Sequence, residues 1–163
     1  MPIFFYNTDI GRIGIEEQDG SIVHLYFEGE QVPQNADIFE SSLIKEAASQ
    51  LKSYLAGDLQ NFSLPLTTVG TPFMKKVWQL LCEIPYGETI TYQEMAQRAG
   101  SPKGARAAGL ACNRNPIPIF IPCHRVIGSN GKLVGFGGGL NLKEQLLLLE
   151  SGKLWQNQGL LKE

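Results

Sequence analysis

Asn115-Pro116-Ile117-Pro118-Ile119-Phe120-Ile121-Pro122-Cys123-His124-Arg125-Val126 is the stretch from which the rest of the chain is read. Three prolines and four bulky apolar residues lead into adjacent Cys, His and Arg. Proline fixes φ and removes a backbone donor, so neither a regular helix nor a central strand fits. The stretch reads as a stiff, extended, buried ribbon that presents one thiol. A thiol at its ordinary pKa is only a few per cent ionised at neutral pH, and the thiolate is the nucleophile. Cys123 therefore needs a base, and the base needs an orienting carboxylate. His124 is the only histidine of this half of the chain. Neighbours in an extended chain point to opposite sides, so a Cys123–His124 link requires a turn or a bridging water. Glu144 and Glu150 are the candidate orienting carboxylates. Glu150 falls at a helix C-terminus, where its charge opposes the helix dipole.

Upstream, Thr71-Pro72 is an N-cap followed by proline at the first helical position. Phe73, Val77, Leu80, Leu81 and Ile84 predict a helix to about Ile84, broken by Pro85-Tyr86-Gly87. Thr91-x-x-Glu94 has the capping-box pattern and opens a helix from Tyr92 to about Ala99, ended by Gly100. Ser101-Pro102 starts another, from about Lys103 to Asn113. Two short helices joined by a glycine turn match a helix-turn-helix. The second contains Gly104-Ala105-Arg106-Ala107-Ala108-Gly109. Glycine costs roughly 1 kcal/mol relative to alanine in a helix, so something must approach this backbone closely. That is either a neighbouring helix or a DNA groove, with Arg106 projecting into the base stack. Downstream, Val134 to Gly139 is a glycine-rich loop without the spacing of a nucleotide cradle, better suited to a flat ligand. Asn141 is placed to cap a last helix with Leu142, Leu146 and Leu149 inward. Residues 152–163 read as a polar tail on which Trp155 docks.

The first part of the chain differs. Residues 1–27 predict antiparallel strands, with Asp19-Gly20 as a hairpin turn. His24 reads as a sheet residue. Residues 28–39 are loop-like. Leu43, Ala47, Leu51 and Leu55 predict a helix over Glu40–Ala56, stopped by Gly57. A short strand and a linker follow over 58–70. The fold class is α+β: an N-terminal antiparallel-sheet-plus-helix domain over 1–70, then a mainly helical domain with a helix-turn-helix over 71–163. Residues 1–70 hold 3 basic and 10 acidic side chains, whereas residues 71–150 hold 9 basic and 5 acidic. The excess of positive charge in the second half fits either a nucleic-acid face there or chance segregation of charge in a small protein. No apolar run approaches the ~20 residues of a membrane span, and no secretion signal opens the chain. Three cysteines without framework spacing point to a reducing, cytoplasmic setting. Cys82, Cys112, Cys123, His24 and His124 lack zinc-ligand spacing, so no metal is expected.

Residues 71–152 resemble the C-terminal domain of the O6-alkylguanine-DNA alkyltransferases. The likeness rests on Pro122-Cys123-His124-Arg125-Val126, with Gly87-Glu88-x-x-x-Tyr92, Ala105-Arg106-Ala107, Asn115-Pro116, Gly138-Gly139-Leu140, Lys143-Glu144 and Glu150. Residues 1–70 fit that family's less distinctive N-terminal domain. The resemblance implies single-turnover repair. Cys123 attacks the alkyl carbon on guanine O6, or on thymine O4, and keeps the group. His124, through a water and Glu150, forms the thiolate, and Tyr92 donates to the departing base and crowds the DNA backbone. Asn115 holds the active-site turns. Arg106 fills the place of the flipped nucleotide, on a helix whose Gly104, Ala105, Ala107 and Gly109 enter the minor groove. The carbonyls of Cys123 and Val126 read the guanine amino group, and Gly137 approaches O6. Pro118 and Phe136 line the base pocket, Phe136 standing where the family usually has tyrosine. The implied partner is duplex DNA carrying O6-alkylguanine, bound by a monomer with no cofactor and no membrane. Two alternatives stand beside it. A non-transferring lesion sensor is opposed by Cys123, which such relatives replace, usually by Trp. A cysteine hydrolase is opposed by the adjacency of Cys and His, which lie far apart in thiol proteases.

Overall fold

In the computed structural model, residues 1–131, 133 and 135–152 are described. The chain forms two compact units, Met1–Val69 with Pro116–Phe120, and Gly70–Asn115 with Ile121–Glu163.

The first unit is a four-stranded sheet in the order β3-β2-β1-β4, with one helix. Strands β1 (Pro2–Thr8), β2 (Gly11–Gln18) and β3 (Ser21–Tyr26) are antiparallel neighbours. Asp19 and Gly20 both have positive φ, 51° and 81°, as a two-residue hairpin turn of the strands' own twist requires. The segment expected to be all loop adds β4 (Asp37–Ile38), parallel to β1. Helix α1 (Ser42–Leu55) is capped by Ser41, whose hydroxyl accepts from Ile44 N. Gly57, φ +83°, ends it in a Schellman turn, with Gly57 N donating to Tyr54 O and Asp58 N to Ser53 O. The helix buries Ile44, Ala47, Ala48, Leu51 and Tyr54. Ala47 and Leu51 of the expected stripe are buried, while Leu43 and Leu55 lie at its half-buried edge and Ile44 and Tyr54 complete the centre. The strand expected after residue 58 is only a bridge between Leu66 and Ile22. Pro116–Phe120 joins this unit through Leu25 N donating to Pro116 O and through Phe120 set edge-on to Phe62.

In the second unit α2 (Pro72–Leu81), α3 (Tyr92–Arg98) and α4 (Ala105–Asn113) pack together. The Thr71 and Thr91 hydroxyls accept from Met74 N and Glu94 N. Helix α2 stops at Leu81; Ile84 is buried in the turn beyond. Helix α4 begins two residues later than expected, with Gly104 at its cap rather than Ser101. A Cβ at Gly104 would lie 2.6 Å from the Ser101 hydroxyl and 3.1 Å from its carbonyl oxygen, so any side chain there makes Ser101 shift. Trp78 donates its indole N–H to Ala111 O at 2.8 Å and fastens α4 to α2.

The Cys-His-Arg stretch corrects the ribbon expectation. Cys123–Arg125 is one turn of 3-10 helix, followed by β6 (Val126–Ile127). Upstream, Ile119 has φ +73°, a conformation that costs a β-branched residue roughly 1–3 kcal/mol. Prolines stiffen this stretch without extending it. β6 runs parallel to β5 (Ile90–Thr91), pairing Ile90 with Val126 and Thr91 with Ile127. Helix α5 (Leu140–Ser151) is capped by Gly139, φ +95°, so Asn141 lies inside the helix and is not its cap. Its buried stripe is Lys143, Leu146 and Glu150, not the leucines alone. The expected docking of Trp155 lies outside the described residues.

Candidate active site

The site grows from the 3-10 turn. Its tight backbone puts Cys123 and His124 on one short loop, both buried, Cys123 6% exposed and His124 not at all. The next residue, Arg125, is buried too. Helix α5 brings Glu150 against this turn. His124 Nε2 lies 2.6 Å from Glu150 Oε2, and Arg125 grips the same carboxylate with Nε to Oε1 at 2.8 Å and a terminal nitrogen to Oε2 at 3.0 Å. Gly87 N donates to Oε1 at 3.3 Å. Arg125 spends its other terminal nitrogen on Ile84 O at 2.6 Å, and Tyr86 stacks near its guanidinium. A buried carboxylate with an arginine fork and a backbone N–H is an anchor. It fixes the imidazole by Nε2 and leaves Nδ1 as the atom that can exchange a proton. Of the two carboxylates proposed from sequence, Glu150 touches His124. Burial lowers the His124 pKa, and the Glu150 hydrogen bond opposes that shift.

A second cation completes the pocket. Lys143, fully buried, donates to Val126 O at 2.7 Å and to the Tyr92 hydroxyl at 3.2 Å. The β5–β6 pairing holds Tyr92, first residue of α3, close to the thiol turn. Burial pushes the Cys123 thiol up to about 11, opposed by a hydrogen bond with Asn115 and by the charge of Lys143. Asn115 also donates Nδ2 to Ile121 O at 2.8 Å, tying the two ends of the proline stretch. Burial raises the Tyr92 hydroxyl and lowers Lys143. At rest the thiol is protonated and the imidazole neutral.

Cys123, His124, Glu150, Tyr92, Asn115 and Val126 thus gather around one turn. Arg106 and Ala107 lie exposed on α4, Ala105 and Gly104 half-buried at its start. A Cβ on Gly109 would stand 3.6 Å from the Tyr92 ring. Leu110 joins the exposed face, 49% open. Phe136 and Gly137 lie in the loop before α5, where Gly135 passes so close to Asn113 that a Cβ would come within 2.7 Å. Pro118 is buried in the first unit. The sequence reading missed two residues, Arg125 and Lys143. Both stand in motifs that carried the resemblance, Cys-His-Arg-Val and Lys-Glu, but nothing local gave either a role. Among the described residues no group of three His, Cys, Asp or Glu could hold a metal.

Two family descriptions match. Residues 72–152 match the 6-O-methylguanine DNA methyltransferase DNA-binding domain, and residues 3–68 its ribonuclease-like domain. The chain belongs to the 6-O-methylguanine DNA methyltransferase family. It is 58% identical over 153 residues to a methylated-DNA–protein-cysteine methyltransferase of Methanosarcina acetivorans, covering 92% of this chain and 98% of that one. The same-named protein of Methanosarcina barkeri is 51% identical over 150 residues, 90% of this chain and 95% of that one. Among solved structures, Mycobacterium tuberculosis OGT in complex with DNA superposes with a TM-score of 0.89 at 38% identity, covering 94% of each chain. The α+β class expected from sequence is observed, with the sheet and one helix in the first unit and a mainly helical second unit.

Proposed function

We propose that this protein repairs DNA by moving an alkyl group from guanine O6 to the sulfur of Cys123, once per molecule. One observation carries this most: a buried thiol and imidazole share a single turn, and the imidazole is locked to a buried, arginine-held carboxylate. The relatives named as methylated-DNA–protein-cysteine methyltransferases support the same chemistry.

The target atom lies inside the duplex, so the nucleotide must be flipped at a cost of a few kcal/mol. Helix α4 enters the minor groove, where small residues let its backbone close on the DNA, and Arg106 occupies the vacated stack. His124 takes the thiol proton through Nδ1, directly or across one water, while Glu150 stabilises the imidazolium. The sulfur attacks the alkyl carbon as the carbon–O6 bond breaks, and its electron pair leaves on guanine. Tyr92 supplies the proton or hydrogen bond that guanine then needs. The Lys143 ammonium lowers the cost of negative charge on both sulfur and phenol. Asn115 steadies the turn, Val126 and Cys123 carbonyls face the guanine amino group, and Phe136 and Gly137 border the base. The product thioether is not reversed by water, so the protein is consumed. A monomer working in the reducing cytoplasm suits three free cysteines.

The test is to incubate the protein with duplex DNA carrying O6-methylguanine and weigh it. One methyl is expected, on the peptide containing Cys123, and none on a Cys123→Ala variant. Lesion binding without mass gain would defeat the transferase assignment and leave a sensor.

A further inference from the structure

The first unit holds a buried acid that alkyl transfer does not use. Glu16, in the body of β2, is 3% exposed. The Tyr26 hydroxyl donates to its Oε1 at 2.7 Å, and no other hydrogen bond from a described residue reaches the carboxylate. Next to it, Glu17 turns toward α1, where the Ser41 hydroxyl donates to it. Glu16 therefore points to the opposite face of the sheet. A bulge falls between these two residues, where the partner strand steps from His24 to Ile22, a device that commonly re-aims side chains at functional sites.

On that face lies a cavity of about 590 Å³. Val23, Pro33, Val69 and Pro116 give it apolar walls, and Glu16 and His24 line it with polar groups. The volume is that of a small-molecule site, and so is the pattern of apolar walls with a few polar groups. His24 lies flat on Tyr26, ring centres 4.0 Å apart and planes within 8°, so an aromatic platform adjoins the carboxylate. Glu30 adds negative potential at both rings. A buried carboxylate with one hydroxyl partner calls for a cation.

We propose that this cavity binds an organic cation, a protonated amine or guanidinium on a short apolar stem, with its head on Glu16 and its stem along the apolar walls. A free small amine and a lysine or arginine side chain of a protein partner share this chemistry. The test is an NMR titration of the full chain with n-butylguanidine, with a capped glycine-serine peptide bearing one arginine, and with n-butanol as the neutral control. Saturable shifts at Glu16, Val23 and His24 are expected with both cations and not with n-butanol. Glu16→Gln should weaken the cations at least about tenfold, and Val69→Trp, at an exposed rim residue, should block them while leaving the fold and alkyl transfer unchanged. A peptide binding about tenfold tighter than n-butylguanidine identifies a protein side chain as the source, and the reverse order a free amine. Absence of saturable shifts, equal response to n-butanol, or undiminished binding in a folded Val69→Trp or Glu16→Gln protein overturns the proposal.

Discussion

Glu150 and Lys143 are charges buried where helix α5 would by simple patterning show leucine. Each is tolerable only because its partners are in place. Glu150→Gln removes the charge that balances Arg125 and loosens His124. The expected loss is about 3–5 kcal/mol of stability, read by urea unfolding, with single-turnover transfer falling at least about tenfold. Lys143→Met keeps the length of the side chain and removes a desolvated cation. It should leave the fold intact, slow methyl transfer at least about tenfold, and lower the reactivity of Cys123 toward iodoacetamide. Unchanged iodoacetamide reactivity would remove Lys143 from the thiol's electrostatics. The thiol itself makes a pH prediction. With its pKa pushed up to about 11, its thiolate fraction in the free protein rises about tenfold per pH unit through the neutral range. Iodoacetamide labelling of Cys123 should follow that slope, and a plateau already at neutral pH would contradict it.

Helix α3 shows what a single cap does for the site. Thr91 caps the helix and pairs with Ile127, so it sets where Tyr92 begins. Thr91→Ala should cost about 1 kcal/mol, visible as a lowered thermal midpoint, because Glu94 N loses its acceptor. The expected reciprocal half of the capping box is replaced by a Glu94–Arg98 ion pair along the helix. Helix α4 shows why its glycines and alanines are there. A Cβ at Gly104 would crowd Ser101, an internal reason, whereas Gly109 leaves ordinary contact room beside Tyr92. Gly109→Ala should therefore be accepted. Gly109→Leu should push Tyr92 aside, cutting transfer by roughly tenfold, with overpacking of about 1–3 kcal/mol. The odd composition of α4 was legible as a close-approach signal, but tight helix packing and groove binding both use it. The α5 stripe was misread because a leucine-rich helix offers several plausible inward faces, and periodicity alone cannot favour one that carries Lys and Glu.

At the scale of the molecule, burial of thiols makes stability fall in alkali. Cys123 and Cys112 are raised from 9.0 to about 11 and about 12. The folded chain thus holds protons that the unfolded chain releases near pH 9. Stability from these groups is complete below about 9 and is lost as pH rises through about 11 and beyond. Urea midpoints should decline over that window, less steeply in Cys123→Ala. The hairpin at Asp19-Gly20 and the caps at Thr71 and Thr91 were determined by local sequence. Each depends on a few neighbouring residues and on backbone preferences that need no distant partner. The proline stretch stood between these cases: its stiffness was legible, but not the positive φ at Ile119 or the 3-10 turn that puts His124 beside Cys123. The grip of Arg125 and His124 on Glu150, and of Lys143 on Val126 and Tyr92, was decided only by the tertiary structure. Those contacts join residues 17 to 51 positions apart. Charged groups at such separations become partners only when packing removes the water that would otherwise have held them apart.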